Sequence, residues 1–212
     1  MRILITAGGT REYIDPVRFI SNASSGRMGY ELARAALKAG HKVTLITTVI
    51  RKSRFLNQVT IVKVERASEM FDAVKKHFEN CDCLIMSAAV ADYTPSKRSK
   101  LKIKKEKNEL TIKLKPTPDI LRWAAKNKNL KSKKRLIVGF ALEDKNLLQN
   151  AEQKLREKNL DMVIVNSVSA IDSEKSTVHI KTPKTAWQTI ENKSKASIAK
   201  KIIQLIKAAN NN

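Results

Sequence analysis

The 212-residue sequence has few of the residues that hold small secreted or metal-bound domains together. Its only cysteines, Cys81 and Cys83, are separated by one residue, and such a pair forms neither a disulfide framework nor a zinc site. We expect both to be structural. Long apolar runs are also missing, and the first one, residues 3–5, ends before Gly8 and Gly9, which is too short for a signal peptide or a membrane span. The sequence predicts a cytoplasmic protein without a membrane partner.

Acidic and aromatic residues are scarce. There are 20 Asp and Glu against 42 Lys and Arg, which gives a net charge of +22, and aromatic residues make up 5%. A basic surface attracts phosphate backbones, so nonspecific nucleic-acid binding is one hypothesis. However, few aromatic side chains leave few platforms for base stacking, and the charge is spread along the chain, mostly as lysine. We therefore favour a solvated lysine-rich surface with no nucleic-acid partner.

Short apolar runs alternate with amphipathic helical patterns along the chain. The runs lack polar alternation, which is typical of strands buried on both faces of a parallel sheet. The predicted strands are residues 2–6, 42–47, 60–64, 83–87, 136–140 and 162–165, and the predicted helices are residues 27–38, 68–78, 118–126 and 145–158. A strand near 177–180 and a helix at 198–206 follow. We predict an α/β, Rossmann-like parallel sheet with helices on both faces, in a single domain over residues 1–212.

Two segments interrupt this alternation. The connection 7–25 is longer than an ordinary βα loop and follows the first strand, where α/β proteins bind ligands. The segment 93–116 is crowded with lysines, and its residues alternate at 101–103 and 110–114 around a turn containing Lys107. We predict a lysine-rich β-hairpin flap near 93–116 that is mobile when empty.

A split glycine motif lies on both sides of the first long connection. Gly8 and Gly9 end the first strand, and Gly26-x-x-Gly29 opens the first helix after two serines. The pattern looks like a dinucleotide fingerprint with an inserted loop, in which glycines permit close backbone approach and the helix N-terminus attracts an anion. A serine N-cap beside a tight turn is the structural alternative.

A dehydrogenase is the enzymatic alternative. Tyr93 and Lys97 have the spacing of a short-chain dehydrogenase pair, but Pro95 between them disrupts the helix that such a pair requires. After the second strand, where an NAD enzyme has an acid, this chain has Arg51 and Arg54. NAD is disfavoured, and an NADP-dependent reductase stays open.

Eight sequence blocks carry a family resemblance: ITAGGTRE at 5–12, DPVRFISN at 15–22, SSG at 24–26, AAVADY at 88–93, KIKK at 102–105, TPDIL at 117–121, GFA at 139–141 and KNLD at 158–161. In content and order they resemble phosphopantothenoylcysteine synthetase over nearly the whole chain. The common bacterial form begins with a flavin-dependent decarboxylase half. This chain resembles the stand-alone synthetase, for which a separate decarboxylase is a candidate partner.

The resemblance implies a ligase of coenzyme A biosynthesis that joins 4′-phosphopantothenate to L-cysteine. In the family, CTP usually activates the substrate carboxylate to an acyl-cytidylate, and some members use ATP. Mg²⁺ would bridge the triphosphate and keep most of its waters, so we predict no metal-ligating side chains. The family also implies a homodimer with sites near the subunit interface.

The resemblance also implies roles for particular residues. Asn22 and Lys102 are the implied catalytic residues, and Arg18, Asn22, Ser24, Ser25 and Gly26 would bind the substrate. The implied nucleotide-binding residues are Gly8, Gly9, Met86, Ser87, Ala88, Asp92, Lys102, Pro118, Asp119, Ile120, Leu121, Phe140, Lys154 and Lys158.

Structural roles are open for several of these residues. Phe140 could be a core side chain, and Asp119 could serve only the N-terminus of its helix. The helix C-terminus alone favours cations such as Lys154 and Lys158, and Arg18 could simply brace its loop. The sequence also departs from the family at Ser167, where many members have an aspartate.

Overall fold

The computed structural model describes residues 1–105, 108–130, 133–170 and 173–210. The strands are β1 (Arg2–Ala7), β2 (Arg11–Tyr13), β3 (Phe19–Ser21), β4 (Lys42–Thr47), β5 (Thr60–Lys63), β6 (Cys83–Met86), β7 (Tyr93–Pro95), β8 (Leu114–Pro116), β9 (Leu136–Glu143), β10 (Met162–Ser167), β11 (Lys175–Lys181) and β12 (Gln188–Ser194). The α-helices are α1 (Arg27–Lys38), α2 (Ala67–Phe78), α3 (Ile120–Lys126), α4 (Leu147–Glu157) and α5 (Lys195–Asn210).

Eight strands form one sheet in the order β12-β11-β10-β9-β6-β1-β4-β5. The six strands from β10 to β5 are parallel, while β11 and β12 add antiparallel strands at one edge. The parallel part has the order of a doubly wound sheet, whose strand order reverses between β1 and β6. This confirms the predicted Rossmann-like class and puts the expected ligand crevice at the carboxyl ends of those two strands.

The central parallel strands are mostly apolar because helices cover both faces of the sheet, whereas the edge strand β5 begins and ends with exposed polar residues. Ile3 and Ile5 of β1 belong to a core cluster with α1 and α5. Leu4, which points to the opposite face, belongs to a second cluster with α2, α3 and α4. Among the described residues, no helix has the length and apolarity needed to cross a lipid bilayer.

Buried polar contacts fix the ends of α2. Glu12 of the β2–β3 hairpin is 3% exposed, and its Oε1 accepts the N–H of Ala67 at 2.8 Å at the first turn. Arg135 is 1% exposed and donates to the carbonyls of Phe78 and Glu79 at 2.9 and 2.8 Å at the other end. These contacts satisfy backbone groups that a helix leaves unpaired and fix the helix against the sheet.

The predicted parallel strands and their helices agree with the structure to within three residues at each end. The flap prediction was wrong in its pairing. Residues 101–103 and 110–113 form no strand, and the short antiparallel ladder is β7 with β8 at the base of the segment. Leu101 and Leu110 are 78% and 56% exposed, so the alternation of apolar and polar residues in these two stretches does not mark a strand with one buried face. The turn predicted at Lys107 lies outside the described residues.

Candidate active site

A cleft of about 790 Å³ lies at the carboxyl edge of the parallel sheet. Its volume is within the range of pockets that hold small molecules. The predicted site residues that line it are Asn22, Ser24, Ser25, Gly26, Met86, Ser87, Ala88, Asp92, Pro118, Asp119, Ile120, Leu121, Phe140, Lys154 and Lys158. The sheet therefore brings together residues from five separate parts of the sequence.

Hydrogen bonds from the loop after β6 to the end of β1 and to the loop that follows it build the floor of the cleft. Ser87 Oγ donates to the carbonyl of Thr6 at 2.6 Å, and the N–H of Ala88 donates to Thr6 Oγ1 at 3.2 Å. Further along, the N–H of Ala91 donates to Thr10 Oγ1 at 2.9 Å. The two loops are thus joined at the point where the strand order reverses.

The glycines of the split motif allow the chain to pack against itself. Gly8 has φ +87°, and a Cβ there would lie 2.1 Å from Thr48 Oγ1. A Cβ on Gly9 would lie 2.5 Å from the carbonyl oxygen of Asn22. Gly26, with φ +72°, abuts Gly8 and is the N-cap residue of α1. Gly26 lines the cleft, whereas Gly8 and Gly9 are buried beneath it, where they bring the α1 entry close to β1.

The loop before α1 supplies polar groups at one side of the cleft. Asn22 is exposed, and its Nδ2 donates to the carbonyl of Val90 at 3.1 Å, which orients the amide. Ser24 Oγ accepts the N–H of Gly26 at 3.4 Å. Because the first N–H groups of a helix have no partner within the helix, the start of α1 suits an anionic group.

Two lysines and an aspartate form the wall made by α3 and α4. Asp119 caps α3 by accepting the N–H of Arg122 at 3.0 Å, and its Oδ2 lies 3.0 Å from Lys158 Nζ. Burial would raise the pKa of Asp119, but the Arg122 N–H and the Lys158 ammonium outweigh it and hold the pKa below its usual value. Lys154 Nζ donates to the carbonyl of Phe140 at 2.8 Å.

The Lys154 ammonium is held in an environment that disfavours its charge. Burial lowers its pKa, and so does the neighbouring Lys158, while Glu143, Asp92 and Asp119 oppose the shift. An anionic ligand would relieve this unfavourable environment. The cleft thus carries two ammonium groups on one side of the sheet and a helix N-terminus on the other, which suits a polyanion.

Sequence reasoning missed several lining residues, which are Ala23, Arg27, Met28, Ala89, Val90, Tyr93, Pro116, Ala141, Leu142, Asn166, Ala170 and Lys195. Lys195 is 8% exposed and donates to the carbonyls of Ala170 and Ser173 at 3.2 and 2.7 Å. Asn166 could have been found, since it lies near the carboxyl end of β10. Lys195 begins α5, and no local pattern distinguishes it from the other lysines of that region.

Arg18 and Lys102 do not line the cleft. The Arg18 guanidinium contacts the Asp15 carboxylate and donates to the carbonyl of Ile103 at 2.6 Å. These contacts correspond to the alternative in which Arg18 braces its loop. Lys102 is exposed on the lysine-rich segment. Ser167 is also absent from the cleft, and its Oγ lies 2.5 Å from Ser169 Oγ.

The dehydrogenase alternative requires Tyr93 and Lys97 to lie on one helix. Tyr93 lies on β7 and Pro95 ends that strand, so the helix required for a dehydrogenase pair with Lys97 does not form.

Both cysteines are buried and free, and burial raises the pKa of Cys81 to about 12. Within the described ranges, no three or more His, Cys, Asp or Glu residues are grouped so as to hold a metal ion.

Fold and cleft together define a doubly wound α/β protein with a cleft at the reversal point of its sheet. The family model for the DNA/pantothenate metabolism flavoprotein C-terminal domain matches residues 1–209, and the chain belongs to this family.

Individual relatives agree with this assignment. The chain is 42% identical over 209 residues to a cysteine/cysteine sulfinic acid decarboxylase from an unknown prokaryotic organism, covering 97% of this chain and 57% of the relative. It is 39% identical over 207 residues to the coenzyme A biosynthesis bifunctional protein CoaBC of Borreliella burgdorferi, covering 97% of this chain and 52% of that protein. The chain therefore spans about half the length of these relatives.

A solved structure shares the fold over nearly the whole chain. It is the C-terminal domain of a coenzyme A biosynthesis bifunctional protein CoaBC, with 36% sequence identity and a TM-score of 0.79. The match covers 98% of this chain and 94% of that domain.

Proposed function

We propose that the chain is a phosphopantothenate–cysteine ligase that uses CTP. The observation that carries this proposal is the cleft itself, in which Lys154 and Lys158 share a space with the start of α1 at Gly26. Family membership supports the same reaction, because the Borreliella relative is a coenzyme A biosynthesis protein and its match covers 97% of this chain.

We propose one orientation for the nucleotide in the cleft. Apolar groups of Met86, Ala88 and Phe140 provide a surface for base and ribose, and Asp92 provides an exposed carboxylate beside them. The phosphates then extend toward the two ammonium groups and the helix start. In this orientation the negative charge lies where the cleft is positive.

The proposed reaction has two steps. A carboxylate oxygen of 4′-phosphopantothenate attacks the α-phosphorus of CTP, and pyrophosphate leaves. The cysteine nitrogen then attacks the acyl carbon, the bond from that carbon to the phosphate oxygen breaks, and CMP leaves while the nitrogen loses its proton to water. Asn22 would orient the acyl phosphate through its amide, and Lys102 would stabilise the charge that develops on the reacting acyl group as cysteine attacks.

Mg²⁺ fits this site as an ion held mainly by phosphates and water. The cleft contains the carboxylates of Asp92 and Asp119, and Asp119 is already paired with Lys158. Mg²⁺ commonly binds through one or two carboxylates plus substrate phosphates. When bound, it would neutralise charge on the triphosphate.

We further propose a homodimer. Val17 and Phe19 are 58% and 42% exposed beside the β2–β3 turn, and exposed apolar side chains grouped in this way suit a subunit interface. A monomeric mass in solution at assay concentration would contradict the dimer.

Turnover with each of the four nucleoside triphosphates tests the proposed function. We expect phosphopantothenoylcysteine to form fastest with CTP, and equal or faster use of ATP would overturn the nucleotide assignment. Parallel controls address the alternatives: NADPH fluorescence for a reductase, salt-dependent oligonucleotide retention for a nucleic-acid binder, and carbon dioxide release from cysteine for a decarboxylase. The proposal would be overturned if no ligase product forms and one of these assays for the alternative functions gives a positive result.

A further inference from the structure

A buried carboxylate attaches the lysine-rich segment after β7 to the turn between β2 and β3. The Asp15 side chain is 0% exposed. Its Oδ1 accepts the N–H groups of Val17 and Arg18, both at 2.8 Å. Its Oδ2 accepts Arg18 Nε at 2.9 Å and, from the distant lysine-rich segment, the N–H of Ile103 at 3.1 Å.

Two more hydrogen bonds hold the same segment. Arg18 Nη2 donates to the carbonyl of Ile103 at 2.6 Å, so both backbone groups of Ile103 are bound by the Asp15–Arg18 pair. The N–H of Ser99 donates to the carbonyl of Ile14 at 2.9 Å. The backbone is therefore fixed three residues before Lys102 and immediately after it.

The cost of burying a charge makes this contact specific. A buried carboxylate is tolerated only where donors satisfy it, and here the Arg18 side chain and three backbone N–H groups do so. One of those donors, the N–H of Ile103, comes from a segment whose described residues between β7 and β8 are mostly exposed and form no strand. The carboxylate and the segment therefore depend on each other for their position.

We infer that Asp15 is a positioning residue that sets the place from which Lys102 acts on the reacting acyl group. The inference rests on the proposed role of Lys102. A flexible lysine contributes little as a specific donor unless its backbone is held, because a displacement of about 1 Å can cost about a hundredfold in rate. Asp15 supplies that support without touching the substrate.

Asp15→Asn opens the contact selectively. The amide oxygen can still accept from the N–H groups of Val17 and Arg18, but the NH₂ group then faces the N–H of Ile103 and the guanidinium, so donors meet donors. Glu12→Gln is the matched control. Glu12 is also a buried acid of this hairpin, but its partner is the N–H of Ala67, for which an amide oxygen remains an acceptor.

A double-mutant cycle with Lys102→Gln tests the inference. We expect Asp15→Asn to reduce kcat about tenfold or more with little change in the nucleotide KM, and Glu12→Gln to have little effect. In the Lys102→Gln background, Asp15→Asn should cause no further loss of kcat. An equal loss in both backgrounds would overturn the inference, because Asp15 would then not act through Lys102.

Amide hydrogen exchange of the wild-type chain tests the contact without any variant. The Ile103 amide should exchange slowly beside fast amides at Lys102 and Lys104, and Asp15→Asn should remove the difference. Fast exchange of the Ile103 amide in the wild type would contradict the contact between Asp15 and Ile103, but it would not bear on the proposed role of Lys102. A fully active Lys102→Gln variant would instead overturn the proposed role of Lys102, so the two failures are distinguishable.

Discussion

Lys158 Nζ lies 3.0 Å from Asp119 Oδ2 and joins the end of α4 to the start of α3 at the wall of the cleft. Asp119 is also the N-cap of α3, so one carboxylate fixes a helix start and holds a cation that faces the proposed nucleotide. A structural role of Asp119 as a helix cap is therefore compatible with its proposed role in nucleotide binding. Their contributions can be separated by substitution.

Substitutions at Asp119 should separate the helix cap from the ion pair. Asp119→Ala loses both and should lower the free energy of unfolding by about 1 kcal/mol, the usual value of an N-cap. Asp119→Asn keeps a capping oxygen and should lose less, because a partly exposed ion pair contributes little. Urea denaturation measures both values, and equal losses would show that capping is unimportant here.

Stability in acid should depend on Asp15. The Arg18 side chain holds the pKa of Asp15 below its usual 3.8, with further help from backbone N–H groups and against the effect of burial. Because the folded pKa is the lower one, the unfolded chain takes up the proton first as the pH falls. The contribution of Asp15 is therefore complete above its unfolded pKa and is lost progressively below it.

We accordingly predict that the free energy of unfolding of Asp15→Asn falls less steeply than that of the wild type between about pH 4 and pH 2. Urea titrations at several pH values measure this difference. Parallel slopes for the two proteins would show that Asp15 keeps an ordinary pKa.

Asn22→Asp should impair synthesis without unfolding the chain. Asn22 is exposed, but its amide donates to Val90, and a carboxylate cannot donate and would repel the acyl phosphate. We expect a rate loss of about a hundredfold with an unchanged melting temperature. Ser21→Ala, at the exposed preceding residue, is the control and should retain activity. Full activity of Asn22→Asp would remove Asn22 from the mechanism.

The lysine-rich segment should contain one specific lysine. Lys102→Gln should cut the overall rate about a hundredfold or more, a loss near 3 kcal/mol of barrier, whereas Lys104→Gln and Lys105→Gln should cost much less. All three are exposed, so the comparison is matched. Steady-state rates at low and high salt distinguish this from general attraction. Similar small effects that disappear at high salt would contradict a specific role.

The sequence predicted the central sheet well because burial on both faces leaves a continuous apolar pattern. β1 and β4 show this most clearly, since their core residues contact helices on either side. β12 was missed for the opposite reason: its residues are mostly exposed and polar at the sheet edge, where pairing with β11 needs no apolar pattern. The β2–β3 hairpin has three residues per strand, too few for any period.

The site was predictable where residues follow strands or open helices. Asn22, Asp92 and Asp119 stand in such positions and line the cleft. Arg18 was assigned to the substrate by resemblance, but its side chain pairs with Asp15, a contact that depends on the turn between β2 and β3. Lys195 joins the cleft only because α5 packs beside the loop after β10, which no local pattern reveals.

Single-turnover synthesis from 4′-phosphopantothenate labelled with ¹⁸O in both carboxylate oxygens tests the central claim most directly. If the carboxylate attacks the α-phosphorus of CTP and cysteine then displaces the nucleotide, phosphopantothenoylcysteine should form with one ¹⁸O transferred to CMP. Mass spectrometry of CMP and of the product measures both. Absence of the product, or product formation with unlabelled CMP, would contradict the proposed ligase mechanism.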